Sequence, residues 1–135
     1  MRYLAIDLGD KRTGIAAGDD ALKIATPAEV IVATDDAQRL AGIAKALDEH
    51  GSDALVLGLP INMDDTEGPA AQRVRAFGRQ LEAKFDMSVH YVDERLTSDA
   101  ADELMARSGL THGQKKARRD ALAAAAILMR FFEDG

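Results

Sequence analysis

The sequence predicts an α/β fold, a hairpin-based sheet extended by strand–helix–strand crossovers, and three observations carry that expectation. Two apolar runs near the start, YLAIDLG and TGIAAG, are separated only by the polar stretch GDKR, the pattern of a β-hairpin. DALVLGLP is a continuous apolar run of strand length, as expected of a strand covered on both faces. Segments with helical apolar spacing lie on either side of it, which calls for crossover connections.

Each element has a local cause. ALKIATPAEVIVA reads as a third strand, and Pro27, which cannot donate to a ladder, marks an edge strand or a break within it. Thr34, Asp35 and Asp36 offer N-caps to a helix whose Ala37, Leu40, Ala41, Ala44 and Leu47 fall at helical spacing, and Gly51 ends it. After DALVLGLP comes the loop INMDDTEGP. Pro69 suits the first turn of a second helix that turns Ala70, Val74, Phe77, Leu81 and Phe85 to the core. SVHYVDE is a further strand. Thr97 or Ser98 caps a short helix through Met105, closed by Gly109, and a final helix runs from about Arg118 to Phe132. With 135 residues, no repeat and no low-complexity linker, residues 1–135 are expected to form a single domain.

Composition narrows the function classes. A 47% hydrophobic and 30% charged chain is an ordinary globular protein rather than a disordered one. The absence of cysteine excludes disulfides and thiolate metal sites. No apolar run approaches the ~20 residues of a membrane span, and MRYLAIDLG enters a strand with no signal-peptide pattern, so a cytoplasmic protein without a membrane partner is expected. A net charge of −6 argues against a polyanionic partner, but it is uneven: residues 1–67 carry −7 and residues 68–135 carry +1, with four bases in KKARR at 115–119. Any nucleic-acid contact must be local.

Asp7 poses the chemical question, because a carboxylate inside a buried strand costs several kcal/mol unless paired, protonated or bound to a cation. Asp93 and Glu94 end the last strand, and Asp120 opens the final helix amid the small residues of ARRDALAAAA. Strand alternation lets only one of Asp93 and Glu94 join the others. Taken singly, Asp7 could cap a turn or pair with Lys11 or Arg12, Asp93 or Glu94 could pair with Arg95, and Asp120 could be a favourable first-turn acid. Taken jointly, clustered carboxylates repel unless divalent cations compensate, and oxygen ligands of this kind suit Mg²⁺ or Mn²⁺. Two such ions about 4 Å apart support phosphodiester hydrolysis. Lys11 and Arg12, with Lys115, Lys116, Arg118 and Arg119, could then hold phosphates. His50, His90 and His112 show no metal-ligand spacing, and with so few aromatic residues base stacking is not the main binding mode.

AIDLGDKRTGIA, LVLGLPINMDDTEG, VDERLTS and RRDALAAAAIL, in that order, resemble the YqgF-type proteins, known as pre-16S ribosomal RNA nucleases or Holliday junction resolvase-like proteins of the RNase H-like superfamily. The resemblance spans almost the whole chain. It implies a mixed five-stranded sheet ordered 3-2-1-4-5 with the second strand antiparallel, flanked by helices. By motif position it implies Asp7, Glu94 and Asp120 as the catalytic and metal-binding acids, with Asp93 only a neighbour. It also implies a close backbone approach at Gly58 and a substrate contact for Asn62. Two departures stand out: Asp65 occupies a position usually glycine, and Arg118 and Arg119 replace a lysine and a small apolar residue.

The expected function is therefore a metal-dependent endonuclease using one or two Mg²⁺ or Mn²⁺ ions on structured RNA, by resemblance the 5′ end of pre-16S rRNA during ribosome biogenesis. Resolution of branched DNA is the nearest alternative and demands a two-fold homodimer, whereas RNA cleavage allows a monomer or a homodimer. A non-catalytic module binding nucleic acid or a transcription partner is a further rival. So is a phosphate-loop ATPase, which needs two such domains where this chain supplies one.

Overall fold

The computed structural model describes residues 1–96, 106, 109 and 111–134. Five strands, β1 (Arg2–Asp7), β2 (Arg12–Asp19), β3 (Ile24–Val32), β4 (Ala54–Leu59) and β5 (Val89–Asp93), form one sheet ordered β3-β2-β1-β4-β5. β2 is antiparallel to β1 and β3, while β1, β4 and β5 are parallel. The described residues include three helices, α1 (Asp36–His50), α2 (Pro69–Phe85) and α3 (His112–Asp134), and a one-turn 3₁₀ segment, Glu94–Leu96, after β5. Order and direction are those the resemblance implied, and the sheet is the RNase H-like one.

Local chemistry sets the boundaries. Asp35 caps α1, its Oδ1 accepting from the Gln38 N–H at 2.8 Å, and Gly51 closes the helix in the left-handed region at φ 63°. Pro69 sits at the first position of α2. Pro27 lies in an edge strand, and the β2–β3 register slips there: Ile15 pairs with Glu29 but Ala16 pairs with Pro27, leaving Ala28 as the extra residue of a bulge. Both readings of Pro27, edge and break, are met at once.

The sheet separates two apolar layers. On one side Leu4, Ile6, Ile15, Leu55, Leu57 and Leu59 pack against Ile43 and Leu47 of α1 and Val74, Phe77 and Leu81 of α2. On the other, Tyr3, Ala5, Ala16, Ala54, Val56 and Val92 pack against Ala124, Ala125, Ile127, Leu128 and Phe132 of α3. β4 is buried at all six positions, as a strand between two helical layers must be.

Three expectations are corrected. On α1 the buried face runs through Arg39, Ile43, Ala46 and Leu47, while Ala37 and Ala41 are exposed; alanine tolerates either face, and Ile43 decides. On α2, Ala71 rather than Ala70 is buried. The last helix begins at His112, six residues before the expected start, so KKARR is helical and Asp120 sits inside the helix rather than in its first turn. The short helix expected from Thr97 or Ser98 through Met105 lies outside the described residues.

Candidate active site

β1 turns Leu4 and Ile6 toward α1 and α2, and Tyr3 and Ala5 toward α3. The pleat therefore carries Asp7, at the carboxyl end of β1, to the α3 face. The same alternation resolves the Asp93–Glu94 pair. Val92 packs on the α3 side and Tyr91 on the other, so Asp93 follows Tyr91 and Glu94 follows Val92. Glu94 lies over β4: a Cβ at Gly58 would stand 2.9 Å from Glu94 Oε1 and 2.5 Å from Ile127 Cδ1. Asp120 comes from above, and its backbone carbonyl occupies the space a Cβ at Gly14 would fill. Gly14 is the register partner of Asp7, so the missing side chain brings α3 down onto the strand pair that carries the first acid.

Asp7, Glu94 and Asp120 are thus brought into one electrostatic neighbourhood, where the parallel strands end. Burial raises the Asp7 pKa from 3.8 to about 8, and a side-chain hydrogen bond with Glu94 and the negative charges of Glu94 and Asp120 add to it. At neutral pH the Asp7–Glu94 pair holds a proton. Among the described residues no three acidic or imidazole side chains close around a common point as ligands of an ion do. The donor set nevertheless fits one. It consists of carboxylate oxygens, which hard divalent cations prefer, and the proton held on Asp7 marks negative charge that a cation could neutralise instead.

Asp93 has a separate task. Its carboxylate accepts from the Arg95 backbone N–H at 3.0 Å and from Arg95 Nη2 at 2.8 Å, and these bonds hold its pKa below the ordinary value. Arg95 reaches further, donating to the Asn62 carbonyl at 2.9 Å and pairing with Asp65 at 3.0 Å. It ties the end of β5 to the loop that leaves β4. Asn62 is used inside that loop: its side-chain amide donates to Thr66 Oγ1 at 3.1 Å. Asp65 adopts φ 68°, which accounts for glycine being usual there, and aspartate tolerates that region better than most residues.

Of the expected phosphate contacts, Lys11 and Arg12 are exposed in the β1–β2 turn and at the start of β2, on the rim where Asp7 lies. Arg119 is exposed on α3, whereas Arg118 donates from Nη2 to the Pro27 carbonyl at 3.1 Å, fastening α3 to the bulged edge strand. The side chains of Lys115, Lys116 and His112 lie outside the described residues. Sequence reasoning missed Arg39. It is 3% exposed, pairs with Asp36 at 2.8 Å and donates from Nη2 to the Asp10 carbonyl at 2.5 Å, pinning the turn that follows Asp7. Its one signal was the i, i+3 spacing from Asp36.

Comparison with known proteins agrees with this architecture. The profile of a family described as RuvX, Holliday junction resolvase, matches residues 1–134. A protein of Thiobacillus denitrificans, provisionally named a pre-16S rRNA nuclease, is 44% identical over 131 residues, covering 96% of this chain and 90% of its own. One of Anaeromyxobacter dehalogenans with the same name is 38% identical over 133 residues, covering 98% and 97%. Among solved structures, Thermus thermophilus RuvC in complex with a Holliday junction substrate aligns with TM-score 0.61 at 12% identity, over 99% of this chain and 94% of that one. The fowlpox virus resolvase bound to Holliday junction DNA aligns with TM-score 0.62 at 13% identity, over 99% and 98%. At such identities these two neighbours establish the fold alone.

Proposed function

The chain belongs to the RuvX family, and from that premise we propose that it is a metal-dependent endonuclease that cleaves structured RNA, with the precursor of 16S rRNA as its substrate. The observation that carries the proposal is the neighbourhood of Asp7, Glu94 and Asp120, in which one acid holds a proton well above its ordinary range. Asp7, Glu94 and Asp120 would hold one or two Mg²⁺ or Mn²⁺ ions. Bound there, the metal supplies an activated water and neutralises charge on the scissile phosphate.

The chain's own residues do the rest. Asp7 gives up its proton to become a full acceptor, which the fold resists at neutral pH until a positive charge arrives. Gly58 leaves the Glu94 carboxylate room, and Gly14 lets the α3 backbone descend to set Asp120. Lys11 and Arg12, exposed on the same rim, take the flanking phosphates as compact and forked cations respectively. Arg119, exposed on the helix that carries Asp120, extends the basic contact, with Lys115 and Lys116 assigned the same role. No protein nucleophile is required. We read residues 1–135 as one nuclease domain working in the cytoplasm; no described helix is long and apolar enough to cross a membrane.

Cleavage of precursor 16S rRNA by wild type and Asp7→Asn, each with Mg²⁺, Mn²⁺ or a chelator, tests the proposal. Cleavage by wild type with metal only, and none by Asp7→Asn, is the expected result. Cleavage that survives the chelator or the substitution would refute it. Cutting of a four-way DNA junction by a dimer, with RNA left intact, would move the substrate to branched DNA.

A further inference from the structure

A loop leaves β4 at the rim where β1 ends in Asp7. This loop emerges from the strand lying between β1, which carries Asp7, and β5, which leads into Glu94. Met63 stands on it with 90% of its surface exposed, more than Met1, Leu22, Ile24 or Val32, the other large apolar side chains left in water among the described residues. Leu22 and Ile24 lie at the β2–β3 turn, on the opposite rim from Asp7.

The loop is braced around Met63. The Asn62 N–H donates to the Thr66 carbonyl at 2.9 Å, and the Asp65 N–H returns to the Asn62 carbonyl at 2.9 Å. Asp64 accepts from the Thr66 N–H at 3.1 Å and from its hydroxyl at 2.5 Å. Arg95 fastens both ends of the tight turn, through the Asn62 carbonyl at 2.9 Å and Asp65 at 3.0 Å. Asn62, Asp64 and Asp65, on either side of Met63, are each engaged within the loop or by Arg95. The thioether side chain projects from a scaffold anchored directly beside Glu94.

We infer that Met63 is a wedge that enters between two adjacent bases of the RNA and unstacks them next to the scissile phosphate. The inference rests on the nuclease reading above and adds a residue to it. β4 lies between the two acid-bearing strands, so its loop borders the place where a phosphate would reach Asp7 and Glu94. A long apolar side chain without aromatic rigidity suits insertion into a step of any sequence, and methionine is among the residues that proteins use as such wedges. Tyr3, Phe131 and Phe132 cannot take the part, because they pack together with His90 away from this rim. The step favoured is one at the boundary between duplex and single strand, where one stacking partner is already free.

The test uses an RNA hairpin with a single-stranded tail, carrying 2-aminopurine at successive positions across the boundary, with Ca²⁺ in place of Mg²⁺. Wild type should brighten the probe at one position. Met63→Ala should lose the brightening and bind about 5- to 20-fold more weakly, with an unchanged melting temperature, and Met63→Leu should restore both. Tight binding by wild type with no brightening at any position, or equal brightening by Met63→Ala, overturns the wedge and leaves the nuclease reading standing. No RNA binding by wild type defeats that reading and the wedge together. Brightening confined to a four-way DNA junction overturns the assignment to RNA.

Discussion

The two faces of the sheet are built from different materials. Under α1 and α2 the contacts are made by leucine, isoleucine and phenylalanine. Under α3 alanines dominate, with Gly14, Gly18 and Gly58 at places where a Cβ would meet helix atoms or the Glu94 carboxylate. Large side chains bury more area and hold two layers apart, whereas small ones let a helix backbone approach a strand. The first face supplies stability. The second gives up buried area for proximity, and that proximity sets Asp120 against the strands that present Asp7 and Glu94.

Substitutions should separate these roles. Leu57→Ala, on the fully buried face under α1 and α2, should cost about 4 kcal/mol in urea unfolding yet leave cleavage per folded molecule near wild type. Gly14→Ala should cost about 2–3 kcal/mol, since its Cβ overlaps the Asp120 carbonyl, and should reduce cleavage far beyond the unfolded fraction. Equal activity losses in the two variants would erase the distinction between the faces.

The next effect is a pH dependence. Unfolded Asp7 releases its proton near 3.8 and the folded protein keeps it to about 8, so its contribution to stability is full below about pH 4 and is lost as pH rises through 8. The metal-free protein should therefore lose on the order of a few kcal/mol across that window, and Asp7→Asn should flatten the curve in thermal melts and melt higher at pH 8. A variant less stable than wild type at pH 8 would make Asp7 a structural partner instead. Smallest of all, Asp65→Asn removes the exposed ion pair with Arg95 but keeps a residue that tolerates φ 68°, so the urea midpoint should stay close to that of wild type.

Much of this was legible beforehand. The hairpin, the doubly covered β4 and the Asp35 and Gly51 caps follow from local patterns, and the resemblance anticipated the sheet order. What escaped depended on tertiary context. Alternation cannot say which of Asp93 and Glu94 faces α3 until Val92 is placed against that helix. The helical start at His112 was hidden by glycine and a run of bases, residues that read as a polar loop. Arg39 looks like a surface residue until the chain folds the Asp10 carbonyl onto it. Buried arginine is unexpected from composition because its role, satisfying a turn carbonyl, is defined by a segment 29 residues away.

The proposed nuclease requires Asp7, Glu94 and Asp120 to bind a divalent ion together. Calorimetric titration of Mn²⁺ into wild type, Asp7→Asn, Glu94→Gln and Asp120→Asn tests it most directly. Binding by wild type with proton release, weakened at least tenfold in each variant, is the predicted result. Affinity unchanged in any one of the three variants would contradict it.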